Sequence, residues 1–192
     1  MTITLKPTAS ETTIQNNGSD IFTVDSTGIA MASGKTIQNA SGDVVTNTPA
    51  FSAELSSAQT LTNVTVTKAL FNNELFDTDN AFDTSTNRFT VPSGKGGIYS
   101  ISAHLRLATG VSNLNLAVMY LYKNNAIAKY GYNNHDANGR GAADSIALTT
   151  LLDLNAGDYL EIFAYIGGGS SGSGHQLNTA GHTIFCGHRL IT

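Results

Sequence analysis

The most regular pattern of apolar and polar positions in the chain lies in residues 97–107. From Tyr99 to Leu107 every second residue is apolar, and the residues between them are polar. A period of two over this length is typical of a β-strand with one buried face. Three phenylalanines precede this strand in turn-rich sequence: Phe71, Phe82 and Phe89. We expect their rings to fill the core beneath the strand.

Other segments of alternating or β-branched residues predict that the rest of the chain after residue 49 is also β-structure. The predicted strands cover residues 50–55, 61–71, 88–91, 97–107, 115–123, 126–132, 143–154, 158–166 and 183–191. Asn124-Asn125 and Asn155-Ala156-Gly157 suit tight connections between antiparallel strands. No stretch has a convincing helical period. About ten short strands in one domain predict an all-β sandwich.

The first 48 residues have a different pattern, in which a short motif occurs twice. Thr13-Ile14-Gln15-Asn16 returns as Thr36-Ile37-Gln38-Asn39, and a polar turn-like segment follows each copy. Between the copies, residues 21–31 predict a hairpin around Asp25-Ser26-Thr27-Gly28. Units this thin become stable when they stack or when several chains wrap together.

We therefore interpret residues 1–48 as a β-rich stalk or anchor segment. The alternative is a polar linker without fixed structure, which the composition also permits. Pro49 marks the boundary, and residues 49–192 form the second predicted domain.

Composition narrows the range of functions. Charged residues make up 12% of the chain, against about 25% in a typical soluble protein. Gly, Ser, Thr and Asn replace them, as in proteins with many tight turns. The net charge is −4 and the ten basic residues are scattered. Nucleic-acid binding needs clustered Lys and Arg, so we expect no nucleic-acid partner.

The chain shows no targeting signal and no basis for disulfide bonding. Its N-terminus lacks the basic and apolar regions of a signal peptide, and no apolar run approaches the ~18 residues of a membrane span. We expect folding in a cytoplasm, without membrane insertion. Cys186 is the single cysteine, and its strand-like surroundings predict a buried, unreactive thiol.

Aromatic, acidic and glycine positions of the second domain occur in a distinctive order. In chain order they are Phe71, Asp77, Phe82, Phe89, the triplet Gly97-Ile98-Tyr99 and the closing segment 183–190 (TIFCGHRL). This order resembles the signature of C1q globular domains. The resemblance covers residues 49–192 and implies a C1q/tumour-necrosis-factor-like jelly roll that assembles as a homotrimer. The collagen-like Gly-X-Y stalk of animal members does not precede it.

The N-terminal segment resembles a different class of protein. The repeat Phe22-Thr23-Val24-Asp25-Ser26-Thr27-Gly28 is similar to the β-structured shafts and anchor regions of bacteriophage fibres and spikes. Together the two resemblances imply a virion structural protein, assembled in the host cytoplasm. Residues 1–48 would attach to other virion proteins, and the trimeric head would recognise a host-surface glycan or receptor.

Two other interpretations stay open. One is a capsid or tail decoration protein without specific receptor binding. The other is a bacterial or animal C1q-like lectin or signalling ligand, which the missing signal peptide disfavours.

Catalytic signatures are missing from the sequence. The five histidines fall in no HExxH motif, and there is no GxSxG or CxxC, so we expect no enzyme. Asp77, Asp79 and Asp83 offer oxygen ligands of the kind that Ca²⁺ takes. The common role of Asp in such a turn-rich stretch is capping. We therefore expect no resident cofactor or metal, with Ca²⁺ at these residues as the alternative.

Candidate ligand-binding residues lie where a predicted strand runs into a polar loop. They are Tyr130, Tyr132, Asn133, Asn134, His135, Asp136 and Arg140, with His175 in a second, glycine-rich loop. Aromatic rings stack on sugar rings, and amide, imidazole and guanidinium groups hydrogen-bond their hydroxyls. The alternative is that both segments are solvated loops.

Candidate residues for contacts between chains follow from the implied trimer. They are Ser102, His104 and Arg106 on the strand 97–107, Ala147 and Thr149 on the strand 143–154, and Phe185 near the C-terminus. If His104 and Arg106 of three chains met at an axis, an anion, a carboxylate or water would have to offset the repulsion. The alternative is that this face meets solvent.

Overall fold

A computed structural model describes residues 4–7, 11–16, 19–25, 28–33, 35, 48–109, 114–135, 141–168, 174–179 and 181–190. The chain divides into two compact units, Met1–Thr46 and Asn47–Thr192. Within the described residues there is no helix of the length and apolar character that crossing a membrane requires.

The first unit is a four-stranded antiparallel sheet. Its strands, side by side in chain order, are β1 (Thr4–Pro7), β2 (Glu11–Asn16), β3 (Ser19–Asp25) and β4 (Gly28–Met31). The predicted hairpin is confirmed, because Phe22 pairs with Met31 and Val24 with Ile29. The second copy of the repeated motif lies outside the described residues.

The second unit contains two sheets. The first sheet runs in the order β13-β12-β15-β10-β9, with β7 beside β15. Its strands are β7 (Thr67–Lys68), β9 (Phe82–Asp83), β10 (Arg88–Thr90), β12 (Leu114–Lys123), β13 (Ala126–Asn134) and β15 (Tyr159–Gly168). β12 and β13 form the predicted hairpin, with Asn124 and Asn125 at positive φ in the turn.

The second sheet runs in the order β6-β16-β11-β17-β5-β8, and β14 also pairs with β11. Its strands are β5 (Ala50–Glu54), β6 (Gln59–Thr60), β8 (Asn73–Asp77), β11 (Gly97–Ala108), β14 (Ala143–Leu154), β16 (Gln176–Leu177) and β17 (Ile184–Arg189). The ladder between β11 and β14 extends from Gly97 opposite Leu154 to Ala108 opposite Ala143. The predicted all-β sandwich is confirmed.

The core lies where the predicted alternation places it. The five apolar positions of the predicted alternation in β11 are all buried: Tyr99, Ile101, Ala103, Leu105 and Leu107. The expected role of the three phenylalanines is also confirmed, because Phe71, Phe82 and Phe89 are at most 4% exposed. The Phe51 ring stacks on two of them, with centroids 5.3 Å from Phe82 and 4.5 Å from Phe89.

The predicted strand over residues 61–71 is wrong in its extent. Only β7 is extended and paired there, and the backbone turns at Val64, whose φ is 58°. The segment bonds to β15 at intervals, through Val64 N to Ile166 O at 2.8 Å and Ala69 N to Ile162 O at 2.9 Å. β-Branched composition favours extended backbone but does not specify a continuous partner strand.

Candidate functional site

The alternation of β13 divides the predicted ligand residues between the two faces of the first sheet. Tyr130 and Tyr132 are 62% and 59% exposed, and Asn134 lies on the same face. The residues between them point to the other side. A Cβ added at Gly131 would lie 3.3 Å from Ile146 Cγ2. The predicted loop is thus a strand up to Asn134, and its side chains cannot all converge on one ligand.

Aromatic side chains from neighbouring strands surround the two exposed tyrosines. Tyr130 lies opposite Tyr120, and Tyr132 lies opposite Val118. On the other side of β12, Tyr120 lies opposite Phe163, and Val118 opposite Tyr165. We call this outer face of the first sheet the tyrosine platform. Its aromatic members are Tyr120, Tyr122, Tyr130, Tyr132, Phe163 and Tyr165.

Five of the six platform rings form a continuous series of ring contacts, in which Tyr120 and Tyr122, with centroids 6.3 Å apart, join the two halves. The centroids of Tyr130 and Tyr132 are 6.3 Å apart with ring planes inclined by 25°, and Tyr120 lies 6.3 Å from Tyr130. Tyr122 lies 4.4 Å from Phe163. Aromatic pairs of this kind favour tilted and offset arrangements, so neighbouring rings of the platform support one another.

A shallow groove of about 430 Å³ runs over this platform. It is lined by Leu116, Val118, Tyr120, Ile127, Tyr130, Tyr132 and Asn134. Among the described residues, none of the side chains that line it is charged. Burial raises the pKa of Tyr120, so its phenol stays neutral. The groove can therefore offer ring faces, hydroxyls and one amide.

An ion cluster around a buried carboxylate of β15 lies beside the platform. Glu161 is 3% exposed, and its carboxylate accepts hydrogen bonds from Lys68 Nζ at 2.7 Å and Arg88 Nη2 at 2.9 Å. Burial alone would raise the pKa of Glu161, but the hydrogen bonds from Lys68 and Arg88 outweigh it and hold the pKa below its ordinary value. Both cations are therefore engaged by this carboxylate.

Two predicted ligand residues instead hold the end of β13 against β14. Asn133 Nδ2 donates to Asp144 Oδ1 at 2.9 Å, and His135 Nε2 lies 2.8 Å from Asp144 Oδ2. The Ser145 amide also donates to this carboxylate. The structure thus gives Asn133 and His135 a bridging role between the strands. Asp136 and Arg140 lie outside the described residues.

The structure corrects the predicted role of His175 as a surface ligand-binding residue. Its side chain is 5% exposed, because the residue directly precedes β16 and its carbonyl accepts a bond from Leu61 N at 2.8 Å. This attachment to the sandwich brings the ring into the interior, so it is not presented on the surface as predicted.

Five predicted chain–chain contact residues come together on the outer face of the second sheet. Ser102 lies opposite Thr149, with their hydroxyl oxygens 2.9 Å apart, and His104 lies opposite Ala147. His104 Nδ1 donates to the His182 carbonyl at 2.7 Å. The fifth, Arg106, follows on the same face of β11. We call this surface the small-residue face.

Two exposed apolar side chains flank the small-residue face, and the sequence did not reveal them. Leu151, opposite Ser100, is 61% exposed, and Phe76, opposite Ser52, is 52% exposed. A depression of about 400 Å³ lies between them, bordered by Phe76, Ser100, Ser102, Cys186 and His188. Cys186 is half-buried there, and burial raises the pKa of its thiol, which favours the unreactive protonated form.

The structure also corrects the predicted role of Phe185 as a contact between chains. It is fully buried, with its ring 5.0 Å from Phe51 and 5.6 Å from Phe71. Phe185 lies opposite Ala103 on the core-facing side of β17. It belongs to the core of its own chain and is unavailable for contact with another copy.

Two of the three candidate Ca²⁺ ligands, Asp77 and Asp83, cap turns, whereas Asp79 accepts from the Thr78 hydroxyl and lies 3.7 Å from Lys95 Nζ. Asp77 accepts bonds from the amides of Asp79 and Phe82. Hydrogen bonds from the side chain of Ser85, then from that of Thr86, lower the pKa of Asp83 to about 2. Across the part of the chain that the structure describes, no group of three His, Cys, Asp or Glu side chains is placed to hold a metal ion.

The second unit matches known proteins in sequence and in structure. Residues 50–190 match the family model described as the C1q domain. The globular domain of zebrafish complement 1qA protein superposes with a TM-score of 0.52 at 22% identity, covering 74% of this chain and 96% of that one. Murine APRIL superposes with a TM-score of 0.55 at 11% identity, covering 74% and 98%. These similarities confirm the C1q/tumour-necrosis-factor-like jelly roll.

A curated relative extends the comparison to bacteria. The uncharacterized protein YqcC of Bacillus subtilis (strain 168) is 29% identical over 109 residues, which cover 56% of this chain. The aligned region spans 29% of the length of that relative.

Proposed function

Because the chain belongs to the C1q domain family, we propose that it is a homotrimeric virion structural protein of the bacteriophage fibre or spike type. In this proposal residues 49–192 form a C1q-like head that recognises a host-surface glycan. Residues 1–48 attach the head to other virion proteins, and assembly takes place in the host cytoplasm. The protein acts by binding rather than by catalysis.

The small-residue face is the observation that carries the proposal. Ser102, Ala147 and Thr149 have short side chains, so a second chain can approach the sheet closely at these positions. Leu151 and Phe76 leave apolar area exposed at its sides, and such area is favourable to bury between subunits. Association through this face leaves the tyrosine platform, on the opposite sheet, free for recognition.

The first unit supports a stalk made of several chains. By register, Ile14, Phe22 and Met31 lie on one face of the four-stranded sheet, with Val24 and Ile29 beside them. Val24 is 38% and Ile29 67% exposed. A single sheet gains stability when its apolar face is covered. Three copies tethered to one trimeric head have a high effective concentration, which favours mutual covering of these faces.

Labelling and adsorption experiments test the function. Antibodies against residues 49–192 are expected to mark the fibres or spikes of phage particles in electron micrographs. Purified full-length protein is expected to reduce adsorption of those particles to host cells, and periodate oxidation of the cell-surface sugars is expected to remove this competition. Unlabelled particles would contradict the virion assignment. Label confined to the capsid, without competition, would favour the decoration protein.

A further inference from the structure

We propose that the tyrosine platform is a binding site for neutral carbohydrate, with Tyr130 and Tyr132 as its principal contacts. This inference rests on the proposed glycan recognition and assigns it to a sheet face instead of to the loops. The assignment starts from exposure: both rings lie more than half open to solvent on a rigid strand, where they contribute little to the core.

The arrangement of the two rings suits the shape of a sugar. Their planes are inclined by 25° at a separation of 6.3 Å, so neighbouring ring faces line one strip of the groove. A pyranose has a face of C–H groups and a rim of hydroxyls. The C–H face packs on an aromatic ring, while phenol hydroxyls and the Asn134 amide can bond the rim.

The uncharged lining of the groove favours one class of carbohydrate. Its lining consists of apolar, phenolic and amide side chains, and the nearby Lys68 and Arg88 are held by Glu161. A sialylated or sulfated sugar would lose the hydration of its anion without gaining a cationic partner. A nucleic acid would face the same cost at each phosphate. The favoured ligand is therefore an uncharged oligosaccharide.

The experiment measures binding of the full-length protein to immobilised neutral glucans, mannans and galactans, with sialylated and sulfated glycans alongside. The chain has seven tyrosines and no tryptophan, so tyrosine fluorescence reports the same event in solution. Binding of at least one neutral glycan is expected, with a change in fluorescence. Tyr130→Ala and Tyr132→Ala are each expected to weaken it about three- to tenfold.

Matched variants separate loss of the site from loss of the fold. Tyr130→Phe keeps the ring and is expected to retain most of the affinity. Leu70→Ala removes a side chain that is 43% exposed outside the platform and is expected to bind as the unaltered protein does. Thermal melting of each variant checks that these surface changes leave the fold intact.

Each result that departs from this pattern overturns the assignment in a distinct way. If both alanine variants still bind neutral glycans, the platform is not the binding site, although glycan recognition stands. Exclusive binding of anionic glycans would overturn the neutral class. No binding to any glycan would overturn both the site and the proposed recognition. If the platform instead joins two copies of the chain, the tyrosine variants would differ from the unaltered protein in solution mass. That result would also overturn the assignment.

Discussion

Ser102 and Thr149 lie directly opposite each other on β11 and β14, and their hydroxyl oxygens are 2.9 Å apart. One of the two hydroxyls donates to the other, so the pair makes one hydrogen bond within the chain and keeps one hydroxyl proton for another acceptor. Another chain that covers this pair would need to supply an acceptor for the remaining hydroxyl proton. Ser102 and Thr149 are short, bond to each other and lie on the same face as the exposed apolar side chains of Leu151 and Phe76.

Removing one member of this pair is expected to weaken association. Ser102→Ala leaves the Thr149 hydroxyl without its partner, at a cost of about 1–3 kcal/mol where the group is buried between chains. The double variant Ser102→Ala/Thr149→Val removes both polar groups and is expected to recover part of the loss. Sedimentation of a dilution series measures the effect. An unchanged dissociation concentration for Ser102→Ala would show that the face stays in solvent.

Phe185→Ala is expected to destabilise the fold. The ring packs among buried phenylalanines of its own chain, and loss of such a ring costs about 3–5 kcal/mol. Denaturant unfolding of Phe185→Ala should show this decrease in the free energy of unfolding. If Phe185→Ala had normal stability but formed a smaller oligomer, Phe185 would lie between chains, which would contradict this prediction.

Gly187 allows β17 to pack against the core. A Cβ at this position would lie 2.6 Å from Ile101 Cδ1 and 3.1 Å from Phe51 Cε1. Gly187→Ala is therefore expected to lower the free energy of unfolding by about 1–3 kcal/mol. Adding Ile101→Val removes the closest methyl group, so the double variant should regain part of the stability relative to the sum of the single changes. Strict additivity in urea unfolding would contradict this contact.

The ion cluster on β15 predicts a pH-dependent contribution to stability. Because the pKa of folded Glu161 lies below its ordinary value of 4.5, the ionised group stabilises the fold above that pH. The contribution is lost as pH falls through the lowered pKa. Glu161→Gln is expected to cost about 2 kcal/mol at neutral pH, and the difference from the unaltered protein should shrink in acid.

A surface substitution of the same chemistry serves as the control. Glu74→Gln, on the exposed part of β8, is expected to change the free energy of unfolding little at neutral pH. A Glu161→Gln variant whose deficit stays constant from neutral pH to strongly acidic pH would contradict the role of the carboxylate charge.

The sequence predicted the features that depend on one long strand. The burial of Tyr99 to Leu107 follows from alternation within β11, which is a local property of the backbone. β17 carries apolar residues on both faces, because Ile184 and Phe185 are adjacent, so alternation did not indicate that Phe185 faces inward. Val64 is β-branched but lies in a turn, because hydrogen bonding to distant β15 decides the backbone there.

At the candidate site, the sequence likewise predicted only part of the tyrosine platform. Tyr130 and Tyr132 stand out as neighbours on one strand. Tyr120 joins them through the β12–β13 hairpin, and Phe163 and Tyr165 join only through the register of β12 with β15. Because β12 and β15 are distant in sequence, their register leaves no local pattern of residues, and the sequence did not predict Phe163 and Tyr165 as members of the platform.

The mass of the full-length protein in solution, measured by light scattering, tests self-association through the small-residue face most directly. The unaltered protein is expected to have three times the mass of the 20.1 kDa chain. Leu151→Arg places a charge on this face and should yield the mass of one chain. Ile127→Arg, at a comparably exposed position on the opposite sheet, should stay trimeric. A single-chain mass for the unaltered protein, or a trimer that tolerates Leu151→Arg, would contradict the proposal.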